Sequence, residues 1–149
     1  MSQQQLQQLS QELQEIQEQI EALQNNVEGL QTEKSEADEA IDALETLETG
    51  STVQVPIGGG AYLRATVEDI DEAIVELGAD YAAEFEQDGA VEALESKKEN
   101  LDGQISEVNE QIAELESESS ELEQQAQQLQ QQAMQQQMQQ LGQEQGLDE

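Results

Sequence analysis

Two stretches decide the fold: Ser51–Val67, STVQVPIGGGAYLRATV, and Ala73–Glu86, AIVELGADYAAEFE. In the first, Thr52–Val55 and Tyr62–Val67 alternate, or nearly alternate, at period two and draw on β-branched and aromatic residues, as half-buried strands do. Gly58, Gly59 and Gly60 between them supply the positive-φ positions that a short hairpin loop requires. The second stretch repeats the plan more weakly, with Ala73–Leu77 and Asp80–Phe85 turning through Gly78, Ala79 and Asp80. Residues 51–86 are therefore expected to form two β-hairpins.

On either side the period changes from two to alternating threes and fours. Leu6, Leu13, Ile20, Val27, Lys34 and Ile41 occupy one heptad position of residues 1–50, and Leu9, Ile16, Leu23, Leu30, Ala37 and Leu44 the other. Residues 87–141 carry Val91, Lys98, Ile105, Ile112, Ser119, Ala126 and Ala133 at one position and Leu94, Leu101, Val108, Leu115, Leu122 and Leu129 at the other. Heptads sustained over this length specify a left-handed coiled coil. Set antiparallel, the two patterns match layer for layer, Leu44 facing Val91, Leu30 facing Ile105 and Leu6 facing Leu129, although a slip of one whole heptad also fits. The expected fold is α+β: a long antiparallel coiled-coil hairpin of two helices joined by the two β-hairpins. Gly50 is expected to end the first helix, Asp88 to cap the start of the second, and residues 142–149 to form a disordered tail. Lys34 would face Leu101 and Lys98 would face Ala37. Such lysines either fix the register, reaching nearby acids with their amines, or form a spot for an acidic ligand.

The charge limits what such a chain can do. Its 149 residues hold 35 acidic and 4 basic side chains, a net charge of −31, and aromatics make up only 2%. A conventional core is out of reach, so apolar burial must follow narrow seams. A direct binder of nucleic acid or anionic membrane would need a positive surface, and both are excluded. Sparse Lys and Arg with an even spread of carboxylates fit adaptation to high internal salt better than a clustered site for a basic partner. No run approaches a membrane span, and MSQQQLQQ is no signal peptide, so a cytoplasmic protein is expected.

Catalytic chemistry finds no foothold. Without cysteine or histidine there is no thiol nucleophile, no Cys-ligated zinc and no imidazole base. Gly58–Gly60 lacks the Gly-Lys-Ser/Thr ending of a phosphate loop and is followed by strand-like sequence. Glu68, Asp69, Asp71 and Glu72 have no apolar pocket to tune them and no EF-hand spacing. No enzyme, cofactor or metal site is expected.

The hairpins pose a physical problem instead. Isolated two-stranded ribbons are marginal in water and leave unpaired edges. Val53, Val55, Ile57, Leu63, Ile74, Val75 and Leu77 are nonetheless apolar, so these residues are expected to be covered by other chains in a larger sheet. Met134, Met138 and Leu141 leave the seam positions, and with Leu6, Leu9 and Leu129 they are the candidate residues of a contact tip.

The run Val53-Gln54-Val55-Pro56-Ile57-Gly58-Gly59-Gly60-Ala61-Tyr62-Leu63-Arg64-Ala65, followed by Glu76-Leu77-Gly78-Ala79-Asp80-Tyr81, resembles the alpha class of archaeal prefoldin subunits, here in halophilic form. Asp80 departs from that pattern, which often has glycine in the second turn. The resemblance implies a hexamer of two alpha and four beta subunits, with a double β-barrel body and six coiled-coil tentacles. It further implies an ATP-independent chaperone whose tips hold unfolded polypeptides and pass them to a group II chaperonin. The residues alone leave a second reading open, a structural coiled-coil adaptor with one defined protein partner.

The charge generates a first prediction. At about 0.01 M salt the Debye length grows to about 30 Å and carboxylate repulsion acts across the whole seam. Helicity measured by circular dichroism should fall on dilution from molar salt and return when salt is restored; an unchanged spectrum would contradict the halophilic reading.

Overall fold

A computed structural model describes the chain from Ser2 to Leu147. Helix α1 (Ser2–Thr46) is followed by β1 (Thr52–Gly58), β2 (Ala61–Thr66), a 3₁₀ turn (Ile70–Glu72), β3 (Ala73–Gly78), β4 (Tyr81–Phe85) and helix α2 (Gln87–Leu147). The strands make two separate antiparallel pairs, β1 with β2 and β3 with β4. The chain divides into two compact units: a strand-bearing unit, Glu28–Ser106, and a helical unit built from α1 up to Val27 and α2 from Glu107 onward.

The heptad positions are the buried positions. In the helical unit Ile16, Ile20 and Ile112 are buried, with Leu23, Val27, Val108, Leu115 and Leu122 packed on them. Ser119 is buried in the same seam. In the strand-bearing unit Ile41, Leu94, Val75 and Ala90 form a cluster joined by Leu44, Val91, Ala73 and Phe85.

Charge settles the register there. Lys34 Nζ lies 2.7 Å from Asp102 Oδ1, and Lys98 pairs with Asp38. Both pairs put the lysines beside the layers expected from the spacing, and neither survives a slip of one heptad. The hydrogen bond to Asp38, backed by the charges of Asp38, Asp102 and Glu95, raises the pKa of Lys98 above the ordinary lysine value. The two seam lysines are thus paired across the helices and fix register; no anion site is needed to explain them.

The two hairpins turn alike. In the first, Gly58 pairs with Ala61 across Gly59 and Gly60, whose φ values are 61° and 79°. In the second, Gly78 pairs with Tyr81 across Ala79 and Asp80, at 50° and 61°. Two successive positive φ angles are the mark of a type I′ loop, whose twist matches that of the strands. Each hairpin has a register shift just before its loop, at a glycine of φ above 100°, so Asp80 does not alter the second turn. Aspartate tolerates this conformation, whereas Ala79 holds it at a cost of about 1 kcal/mol.

The helix ends differ from the sequence expectation. Helix α1 stops at Thr46, before Gly50, and the side-chain amide of Gln87 donates to the carbonyls of Leu44, in its last turn, and Leu47, just beyond it. Gly50 has φ 92°, but it serves the hairpin base, donating its N–H to the Val67 carbonyl at 2.8 Å. Helix α2 begins at Gln87, so Asp88 lies in its first turn and is not its cap. The Gln87 N–H is taken by the Asp71 carboxylate at 3.2 Å, and the Asp71 N–H by Asp69 at 3.0 Å. At the other end α2 stays helical to Leu147, so the expected break at Gly142 is absent; a single helical glycine costs about 1 kcal/mol, and its neighbours Gln and Leu are good helix formers. The remainder of the expected tail, Asp148 and Glu149, lies outside the described residues.

Gln87 therefore closes the end of one helix from the start of the other. Gln87→Ala should lower stability by about 1–2 kcal/mol, since it releases two carbonyls at once. Gln87→Glu should cost more, because it sets a carboxylate against the negative end of α1. Chemical denaturation in molar KCl measures both, and equal stability of all three proteins would remove Gln87 from this role.

Candidate interaction surfaces

In an antiparallel pair, directly opposed residues share a face. In the first hairpin Val53 opposes Ala65 and Val55 opposes Leu63, giving one apolar face, while Thr52, Gln54 and Arg64 fall on the other with Thr66. Val53 and Ala65 are half-buried, but Val55 and Leu63 are exposed, as are Ile57 and Tyr62 beside the loop. No residue of β1 or β2 belongs to the buried cluster of the strand-bearing unit.

The second hairpin is used differently. Val75 opposes Ala83 and Ala73 opposes Phe85, and this face packs on Ile41, Ala90 and Leu94. Val75 is only 6% exposed, whereas its neighbour Ile74 is 74% exposed. Val75 thus leaves the set of residues expected to meet other chains; its methyl groups already cover the chain's own helices. Ile74, Leu77 and Tyr81 remain open. The tyrosines Tyr62 and Tyr81 were missed in the sequence because a strand pattern does not show which residues beside a turn lack cover.

The six candidate tip residues also split into two sets. Leu6, Leu9 and Leu129 are half-buried seam residues, and Leu9 and Leu129 line an open cleft of about 430 Å³ with Gln5, Gln8, Glu12, Gln125, Gln128 and Gln132. Met134, Met138 and Leu141 are exposed. Their spacing of four and three places them in one stripe along α2, and Ala133 is the last half-buried residue before it. The seam register sets Ser2 of α1 opposite Ala133, and among the described residues none covers the stripe beyond it.

Among the described residues no group of His, Cys, Asp or Glu is placed to hold a metal ion, and no helix is long and apolar enough to cross a membrane. The arrangement offers surfaces for other polypeptides. Residues 2–132 match the family model for a prefoldin subunit. The chain belongs to the prefoldin family. It is 59% identical over 105 residues to prefoldin subunit alpha of Halorubrum lacusprofundi, covering 70% of this chain and 69% of that one. It is 69% identical over 58 residues to prefoldin subunit alpha of Haloarcula marismortui, covering 39% of this chain but only 38% of the relative. A chain of filamentous prefoldin from Methanocaldococcus jannaschii, solved by cryo-EM, superposes with a TM-score of 0.66 at 27% identity, covering 75% of this chain and 95% of that one. Prefoldin subunits are non-enzymatic, chaperone-type subunits of hetero-oligomers. The prefoldin fold, two long helices with two small strand pairs between them, is the one expected from the sequence.

The two strand faces make opposite predictions for this prefoldin chain on its own. Val75→Ala should lower stability by about 2 kcal/mol through lost burial and a residual cavity. Val55→Thr and Leu63→Thr, which keep strand propensity at exposed sites, should each stay within about 0.5 kcal/mol. Denaturation of the isolated chain in molar KCl checks the assignment, and a reversed order would mean that the faces are exchanged.

Proposed function

We propose that the chain is the alpha-type subunit of an ATP-independent holdase, assembled with beta-type subunits in a two-to-four hexamer. In this reading its tips retain non-native polypeptides in the cytoplasm and deliver them to a group II chaperonin. The observation that supports it best is the unused apolar surface in each unit. In the strand-bearing unit, Val55, Ile57, Leu63, Ile74 and Leu77 stand open on short paired strands with free edges. Further strands from other subunits would cover them. In the helical unit the stripe Met134, Met138 and Leu141 stands open. Methionine is flexible and polarizable, suited to clients of varied shape.

A single stripe binds weakly. A partly buried Met or Leu contributes on the order of 1–2 kcal/mol, so retention depends on several subunits engaging one client. Each step is contact and release, with no bond made or broken.

Deleting Met134–Glu149 should leave assembly with beta-type subunits unchanged in light scattering while reducing suppression of client aggregation. The beta-type subunits should sustain the remainder. Full suppression by truncated complexes of normal size would remove the stripe from the proposal, and suppression confined to one partner protein would favour the adaptor reading.

A further inference from the structure

The carboxylates are not evenly spread after all. No Asp, Glu, Lys or Arg occurs from Ser2 to Gln11 or from Gln124 to Gln143, in a chain whose net charge is −31. These two charge-free segments meet in the helical unit. Gln5, Gln8 and Leu9 from one and Gln125, Gln128, Leu129 and Gln132 from the other line one cleft, whose sole carboxylate is Glu12. The glutamines around it are exposed, and Met134, Met138 and Leu141 continue the uncharged surface along α2. Elsewhere on the same unit the grooves are acidic: one holds Glu18, Glu21 and Glu116, another Glu114 and Glu118.

Helix formation does not explain the gap, since glutamate and glutamine have similar helix propensity. Solubility argues for more carboxylates, not fewer. A basic occupant would be drawn by carboxylates, and a neutral one would gain little from their removal. Removing them matters for an occupant that is itself negative, because like charges brought together at a desolvating contact repel strongly even where salt screens longer distances. Glutamine keeps the hydrogen-bonding capacity that glutamate would have supplied: its amide both donates and accepts, and can pair with an extended backbone.

We propose that this glutamine-lined, carboxylate-poor surface is adapted to hold acidic non-native polypeptides, whose apolar side chains lie on the Met134, Met138 and Leu141 stripe. This deepens the holdase reading and rests on it. The chain's own composition is the model for such a client: a polypeptide rich in carboxylates and poor in Lys and Arg, with scattered Leu, Ile and Val.

The test uses the complex with beta-type subunits and two fluorescein-labelled unstructured peptides. One carries Leu and Glu interspersed with Gly and Ser, and the other has every Glu replaced by Gln. Anisotropy is read in molar KCl and at the lowest KCl that preserves the full helical spectrum. Wild-type complexes should bind both peptides with affinities within about twofold. The triple variant Gln125→Glu, Gln128→Glu, Gln132→Glu should bind the neutral peptide as wild type does but the acidic one about tenfold more weakly at the lower salt, the loss shrinking in molar KCl. Lysine at the same three positions should tighten the acidic peptide. If the triple variant loses helix, the single Gln128→Glu variant carries the comparison with a smaller loss. Equal treatment of both peptides by wild type and charge variants alike would overturn the inference while leaving the holdase reading intact. Binding of neither peptide by wild type would overturn both.

Discussion

A chain with a net charge of −31 and almost no aromatic side chains can bury apolar surface only along a line. That constraint runs through the structure. Among the described residues no large side chain is fully buried, and the least exposed apolar residues are seam positions of α1 and α2 together with Val75 and Ala90. A two-helix seam holds its neighbours through many small contacts, none of them dominant. It also leaves no interior in which the strands could hide. One hairpin lays a single face on the helices, and the other adds no residue to that buried cluster. The exposed strand face follows from the narrowness of the seam as much as from the strands.

Because the seam is narrow, its ends and register carry disproportionate weight. Two lysines at seam positions replace apolar contacts and reach across to Asp102 and Asp38. A lysine is a costly filler, but it tells apart registers that repeating leucines would leave equivalent. At the strand-bearing end, α1 has no basic residue in its last turn. The neutral amide of Gln87 stands in for one at the end of α1, and the carboxylates of Asp69 and Asp71 supply acceptors leading to it. These bonds join α1, the 3₁₀ turn and α2, so the hairpins are mounted on a closed base.

Local periodicity reveals only part of this. The seam positions could be read from the sequence because heptad spacing is a property of neighbouring residues, and Leu6 through Ala133 fall buried or half-buried as that spacing requires. The hairpins were legible from alternation and from the glycines of the first loop. Alternation could not say which face of β3 meets the helices, so Val75 was placed among residues awaiting a partner when it already had one. The early end of α1 was hidden because Gln87 lies 40 residues or more from the carbonyls it closes. Leu6, Leu9 and Leu129 are at once seam positions and tip candidates in the sequence, and the structure shows them half-buried. The carboxylate-poor surface escaped a reading of evenly spread charge, because its two charge-free segments lie more than a hundred residues apart and meet only in the folded chain.

The central claim is that the first hairpin lays no face on its own chain's helices, whereas the second buries one face there. Native-state hydrogen exchange in molar KCl measures this directly, amide by amide, on the isolated chain and on the complex with beta-type subunits. The account predicts rapid exchange along β1 and β2 in the isolated chain and strong protection in the complex, with β3 and β4 protected in both. Equal protection of the two hairpins in the isolated chain would contradict it.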